Sequence, residues 1–144
     1  MHTENKKMRF PPHLTIYGNK DFRGNCPVES AEQVTFFNLL RKKYPNLGTI
    51  AIHPRNEGKR SFQQTARHKA EGMTKGAPDI IIPAKYPFIC ELKRRDHTLG
   101  RFETGQLEYL TEAQEQGAFV CIALGYDAAF QALEDWLTHK EFQQ

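Results

Sequence analysis

The residue types that could do chemistry concentrate between Lys75 and Lys93, in the stretch KGAPDIIIPAKYPFICELK. Asp79 stands directly behind Pro78, at the start of the apolar run Ile80-Ile81-Ile82 that Pro83 closes. Glu91 and Lys93 follow a second apolar run, Phe88-Ile89-Cys90. Short β-branched and apolar runs bounded by proline read as two strands. A period of two puts Glu91 and Lys93 on one face of the second strand and Cys90 and Leu92 on the other. If the strands pair as a hairpin, Asp79 lies across from the Glu91 end. Two carboxylates and an ammonium then meet beside an apolar sheet, where carboxylates need a cation or strong hydrogen bonds. Oxygen-rich pairs of this kind suit Mg²⁺, a hard ion that takes one or two protein carboxylates plus phosphate oxygens. Lys93 fits the same chemistry, since an ammonium can orient an attacking water or offset charge building on a phosphate. The structural alternative is that Asp79 caps the turn and Glu91 and Lys93 form a solvated pair on a strand edge. E-x-K spacing alone does not decide, because Glu4-Lys6 and Glu57-Lys59 repeat it in this chain.

Other elements must position that hairpin. Residues 28–44, VESAEQVTFFNLLRKKY, predict a helix with Phe37, Leu40 and Tyr44 on its apolar face. Stepping back along that face reaches Gln33 and then Glu29, so Glu29 either points inward or serves the helix dipole as first-turn acids do. A second helix, about Glu103 to Gln116, sets Gln106, Tyr109, Leu110 and Ala113 on one face. Gln106 there either reaches a ligand or is a partly buried amide bonded to backbone. Gly48 to His53 reads as a short strand stopped by Pro54. After it come Arg55, Lys59, Arg60, Arg67, His68, Lys69 and Lys75, the most basic part of the chain, on a loop and a short helix from Phe62 to Glu71 that Gly72 ends. This segment is either a solubilising surface or a phosphate grip beside the hairpin. Arg94 and Arg95 extend the same possibility past Lys93. Phe119 to Leu124 is a buried strand, and Asp127 reads as the N-cap of a closing helix carrying Phe130, Leu133 and Leu137. Trp136 is expected to pack in the core. Residues 1–27 are polar, with one strand-like run at His13 to Tyr17, and are expected as a loosely attached arm before a single domain over 28–144.

Composition bounds the remaining possibilities. A chain of 144 residues, 39% hydrophobic and 26% charged, is long and apolar enough for one globular core. Its net charge of +3 permits contact with a polyanion without requiring it. No run has the apolar length of a membrane span, and the start MHTENKK lacks a signal-peptide core, so no membrane partner and a cytoplasmic location are expected. The three cysteines, Cys26, Cys90 and Cys121, have no C-x-x-C spacing, and none of the six histidines forms an H-x-x-x-H pair, so a zinc site is not expected. The element order implies an α/β sandwich around one mixed sheet.

Pro78-Asp79 followed by Glu91-Leu92-Lys93 resembles the PD-(D/E)xK nuclease signature, and its surroundings resemble the small standalone VRR-NUC type. The pieces run in order from Glu29-Ser-Ala-Glu-Gln33 through Asn56-Glu57-Gly58, Arg67-His-Lys-Ala-Glu-Gly72 and Gly76-Ala-Pro-Asp79 to Gly100-Arg101 and Gln106. The resemblance implies a restriction-endonuclease-like core, a central mixed β-sheet flanked by helices. It implies that Asp79 and Glu91 are metal ligands, that Leu92 lends its backbone carbonyl, that Lys93 is catalytic, and that Glu29 and Gln106 complete the site. The expected protein is then a Mg²⁺- or Mn²⁺-dependent endonuclease hydrolysing DNA. Its relatives imply branched substrates such as four-way junctions, a homodimer, and a bacterial or phage origin. A non-catalytic DNA-binding module of the same fold is the alternative, since the basic segment alone suffices for binding; RNA is a third option, without a stacking surface to argue for it.

Overall fold

The two central apolar runs pair as the sequence predicts. The computed structural model describes residues 8–54 and 61–141. In it β2 (Ile80–Ile82) and β3 (Phe88–Lys93) are antiparallel, with Ile80 opposite Cys90 and Ile82 opposite Phe88. On the other side of β3 lies β4 (Phe119–Leu124), and beyond that β1 (Thr15–Tyr17), both contacts parallel. The sheet order is β1-β4-β3-β2, and the mixed sense is the expected one.

The faces of β3 separate two kinds of environment. Phe88, Cys90 and Leu92 join Cys121 and Ala123 in a core cluster with α1 (Glu29–Lys43) and α5 (Tyr126–Glu141), which contribute Phe36, Leu40, Phe130, Leu133 and Trp136. Trp136 is fully buried, as expected, and donates its indole N–H to the Tyr86 carbonyl at 2.7 Å. Ile89 faces the other way, into a smaller cluster of Leu14, Leu110, Val120 and Ile122 under α4 (Gln106–Glu115). Alternation therefore sends Glu91 and Lys93 to the α4 side, at the end of the strand, where the apolar cluster stops.

Three expectations are corrected. Gly48 to His53 is not a strand: Pro45–Ile50 is the helix α2, with Pro45 in its first turn, where its fixed φ fits and its missing N–H costs nothing. Gly48 allows the chain to fold back on α1, since a Cβ there would lie 2.8 Å from Arg41 Cγ. Only Ile52 keeps strand character, as a single antiparallel bridge to Ile81. Second, the segment before residue 28 is not loose over its described part. Met8 and Leu14 are buried, β1 is in the sheet, and the carbonyls of Cys26 and Pro27 accept bonds from Arg94. Third, Asp127 does not cap the closing helix. It lies within the first turn of α5, and the N–H of Tyr126 is taken instead by Glu32 Oε2 at 2.6 Å.

One close approach sets the hairpin against α4. Gly76 has φ of +78° and sits against Gly105 and Gln106, so that a Cβ would fall 2.3 Å from the Gly105 carbonyl carbon and 2.6 Å from Gln106 N. Both neighbours are backbone and cannot rotate away. Gly76→Ala is expected to destabilise the protein by at least about 2 kcal/mol, the combined effect of a strained φ and an unrelieved overlap. Denaturant unfolding against Gly72→Ala, whose added methyl meets nothing within 4 Å, separates overlap from φ strain: equal losses in the two variants would show that the close approach is not what matters.

Candidate metal centre

Asp79 is placed by the end of the hairpin ladder. Register one step beyond Ile80–Cys90 brings Asp79 opposite Glu91, as expected. The carbonyls of Pro87 and Lys93 accept from Phe119 and Gly125, so odd-numbered residues of β3 bond toward β4 and even-numbered ones toward β2. Leu92 is even and lies past the last residue of β2. Its N–H is therefore left for a side chain, and Asp79 Oδ2 accepts it at 2.8 Å. The Leu92 carbonyl points to the same side as its N–H by the same parity. The backbone carbonyl of Asp79 is held twice, by Gln33 Nε2 at 3.0 Å and by His53 Nδ1 at 2.7 Å. Since a carbonyl only accepts, His53 carries its proton on Nδ1 in that contact.

Glu91 and Lys93 are both buried, with Glu91 at 0% exposure and Lys93 at 2%. Lys93 Nζ donates to the Arg101 carbonyl at 2.8 Å and to Gln106 Oε1 at 3.1 Å. It also lies 3.6 Å from Glu91 Oε1 and 3.7 Å from Glu29 Oε1. Gln106 bridges the pair: its Nε2 donates to Glu91 Oε1 at 3.2 Å while its Oε1 accepts from Lys93 and from the Glu103 N–H. Gln106 is thus an amide bonded to the backbone N–H of Glu103, as one of its two sequence readings has it, and it also bonds the charged groups of Glu91 and Lys93.

Glu29, Asp79 and Glu91 each offer a carboxylate oxygen within 4.8 Å of the others. Glu91 Oε2 is buried and, among the described residues, finds no hydrogen-bond partner. Burial, and after it the Asp79 carboxylate, push the Glu91 carboxyl well above its ordinary range, with Glu29 adding to the rise and Lys93 opposing it. Either a proton or a cation must relieve that arrangement. Three carboxylates against one ammonium leave two negative charges when all are ionised, and the donors are all hard oxygens. The cluster thus fits a divalent oxygen-seeking cation such as Mg²⁺ or Mn²⁺ better than a soft one.

The basic residues divide. Arg67, Lys69 and Lys75 are exposed, and Arg67 makes an i,i+4 pair with Glu71 at 3.6 Å. Arg55, Lys59 and Arg60 lie outside the described residues, as does the Asn56-Glu57-Gly58 loop. Arg94 is engaged by the Cys26 and Pro27 carbonyls, and Arg95 by Glu32 at 3.1 Å and Asp127 at 2.9 Å. These two arginines bind the fold together through these contacts. Sequence reasoning missed Glu32, which is 1% exposed and joins α1 to Arg95 and to the start of α5. The signal was available: Leu40, Phe36 and Glu32 step back by fours on a buried stripe, beside the stripe of Phe37, Gln33 and Glu29. It also missed His53, for which no spacing signal exists. An open cleft of about 420 Å³ lies at Arg95, Tyr17, Phe22 and Asp127 and shares no residue with the carboxylate cluster.

No protein-family model matches the sequence. No curated protein matches it. The structure is similar to a solved structure described as a VRR_NUC domain protein, with a TM-score of 0.65 and 17% identity over 79% of this chain and 91% of that one. The fold is therefore the expected one, an α/β mixed sheet with flanking helices, consistent with a restriction-endonuclease-like core. Among the described residues no helix is long and apolar enough to cross a membrane.

The raised Glu91 carboxyl has a definite sign. The folded state holds that proton more tightly than the unfolded chain, so its contribution is fully present below the ordinary carboxyl range and is lost as pH rises through the folded value. Without divalent cations, the wild-type Tm is expected to fall relative to Glu91→Gln as pH rises above about 4.5. Added Mn²⁺ is expected to restore wild-type Tm, more at high pH than at low, and to leave Glu91→Gln unmoved. Parallel melting curves for the two proteins, with and without Mn²⁺, would refute the assignment of the strain to Glu91.

Proposed function

We propose that the protein is a metal-dependent endonuclease of the VRR-NUC type that hydrolyses DNA phosphodiester bonds. The observation that carries this reading is the buried Glu91 Oε2, which meets no hydrogen-bond donor among the described residues and lies in a cluster with Asp79, Glu29 and Lys93. Asp79, Glu91 and the Leu92 carbonyl would hold the cation, with Glu29 at its edge. A divalent ion there supplies a lowered water pKa and neutralises phosphate charge. The chain's own residues do the rest. Gln33 and His53 fix Asp79 through its backbone, and Gln106 keeps Glu91 and Lys93 in register. The Arg101 and Gln106 oxygens hold Lys93 Nζ in place, 3.6 Å from Glu91 Oε1 and 3.7 Å from Glu29 Oε1. There it can orient a water or steady a phosphate oxygen. Arg67, Lys69 and Lys75 supply non-specific phosphate contacts on the approach to Asp79. Arg94 and Arg95 are not needed for that role.

Branched DNA as the preferred substrate and a homodimer as the working form follow from the resemblance. Two copies would let opposed strands be nicked by separate sites. The test is incubation of the purified chain with linear, nicked, single-stranded and four-way-junction DNA, with Mg²⁺, Mn²⁺ or EDTA. Cleavage is expected only with metal and is expected to fall by at least about a hundredfold in both Asp79→Ala and Lys93→Ala, with binding retained. Cutting that survives EDTA or either substitution would overturn the mechanism. Tight binding with no cutting of any substrate would favour the non-catalytic module instead.

A further inference from the structure

The helix α3 (Phe62–Ala70) is specified at both ends yet serves no core. Ser61 Oγ accepts from Gln64 N–H at 3.1 Å and Gln64 Oε1 accepts from Ser61 N–H at 3.0 Å, a reciprocal capping box. At the other end, the Met73 N–H bonds the His68 carbonyl and the Gly72 N–H the Lys69 carbonyl, with Gly72 at φ +104°. Between these stops no residue is buried, and every residue except His68 is exposed. A nine-residue helix with no buried face is marginal by itself, so its caps define a shape that the core does not use.

Phe62 opens that helix and is 89% exposed, far more than any other large apolar side chain among the described residues. Covering a phenylalanine is favourable, and this fold leaves that burial unused. Its neighbours in sequence argue against an ordinary apolar protein interface: Gln63, Gln64 and Thr65 are all polar. Phe62, Ala66 and Lys69 follow at i, i+4 and i+7 along one stripe, which sets Phe62 and Lys69 about 10 Å apart along the helix axis. Arg67 and Lys75 add exposed positive charge nearby in sequence. An aromatic face beside cations is the pairing that takes a base by stacking and its backbone by charge. From the end of α3 the chain runs through Gly76 directly to Asp79.

Resting on the DNA reading above, we propose that Phe62 is a stacking wedge: it packs on an unstacked base at a branch point or strand end while Lys69 holds the adjoining phosphate. A continuous duplex offers no exposed base face without first being unstacked, which costs a few kcal/mol. A junction offers one at little cost. Phe62 thereby turns a sequence-independent phosphate grip into selection for DNA shape.

The experiment is anisotropy binding by the full chain, in EDTA to prevent cutting, of a four-way junction and a fully paired linear duplex. The proteins are wild type, Phe62→Ala, Phe62→Trp and Lys69→Ala, with Tm and sedimentation mass measured for each. Phe62→Ala is expected to weaken junction binding by about tenfold, within the range of one lost stack, and linear-duplex binding by less than about twofold. Phe62→Trp is expected to keep the junction preference. Lys69→Ala is expected to weaken both substrates alike and to flatten the salt dependence. Equal effects of Phe62→Ala on both substrates, or none, would overturn the wedge. So would a change of sedimentation mass in Phe62→Ala, which would make the ring a contact between copies. Wild type that binds neither DNA would instead overturn the DNA reading itself, whereas a wild type that binds with Phe62-dependent preference but never cleaves would leave the wedge standing without the nuclease.

Discussion

A carboxylate buried without a full set of partners is the constraint around which this structure is arranged. Glu91 is carried into the sheet-helix seam by the alternation of β3, and one of its oxygens meets no donor among the described residues. An isolated charge there would be untenable, so its surroundings must supply compensation or the group must stay protonated. The structure supplies an ammonium at 3.6 Å, an amide at 3.2 Å and two further carboxylates that make the compensation incomplete. Compensation by the protein groups is therefore incomplete, and a proton or a cation must complete it.

The remaining elements act as supports for that arrangement. The first turns of α1 bring Glu29 to Lys93 and Gln33 to the Asp79 carbonyl, while the next stripe of the same helix uses Glu32 to fasten Arg95 and the start of α5. One helix thus serves both the cluster and the frame that holds it. The start of α4 supplies Gln106, and its distance from the hairpin is set by backbone contact at Gly76 rather than by adaptable side chains. Backbone contact leaves little slack. Polar side chains held this way need small displacements only to lose their geometry.

Outside the cluster, charge is distributed by a different logic. Arg94 and Arg95 are turned toward carbonyls and carboxylates of their own chain, and the cleft beside Arg95 is separate from the cluster. The cations of α3 and Lys75 are exposed on the segment that leads to Asp79. The fold is similar to that of a VRR_NUC domain protein although only 17% of residues are identical. Such a likeness at low identity is physically reasonable, because the hairpin register and the alternation of β3 need only apolar residues of suitable shape around a few polar positions.

Much of the site was legible in the sequence because it depends on short periods. Alternation in FICELK assigned Glu91 and Lys93 to one face, the proline-bounded runs assigned the hairpin, and helical spacing led from Phe37 to Gln33 and Glu29 and from Leu110 to Gln106. The tertiary structure decided what period cannot encode. Residues 48–53 carry β-branched side chains that favour a strand, but Pro45 and the close approach of Gly48 to Arg41 make the chain turn into a helix first. The strand-like run at His13 to Tyr17 was legible, but its place in the sheet was not: only parallel pairing with β4 makes β1 an edge strand of the core instead of part of a loose arm. Arg95 and Asp127 read as a phosphate contact and a helix cap, yet they pair with each other because distant segments meet there. His53 became a support for Asp79 through a contact spanning 26 positions, which no local pattern contains. Local periodicity determines which face a side chain takes; which partner it finds on that face is settled only when remote segments of the chain close on one another.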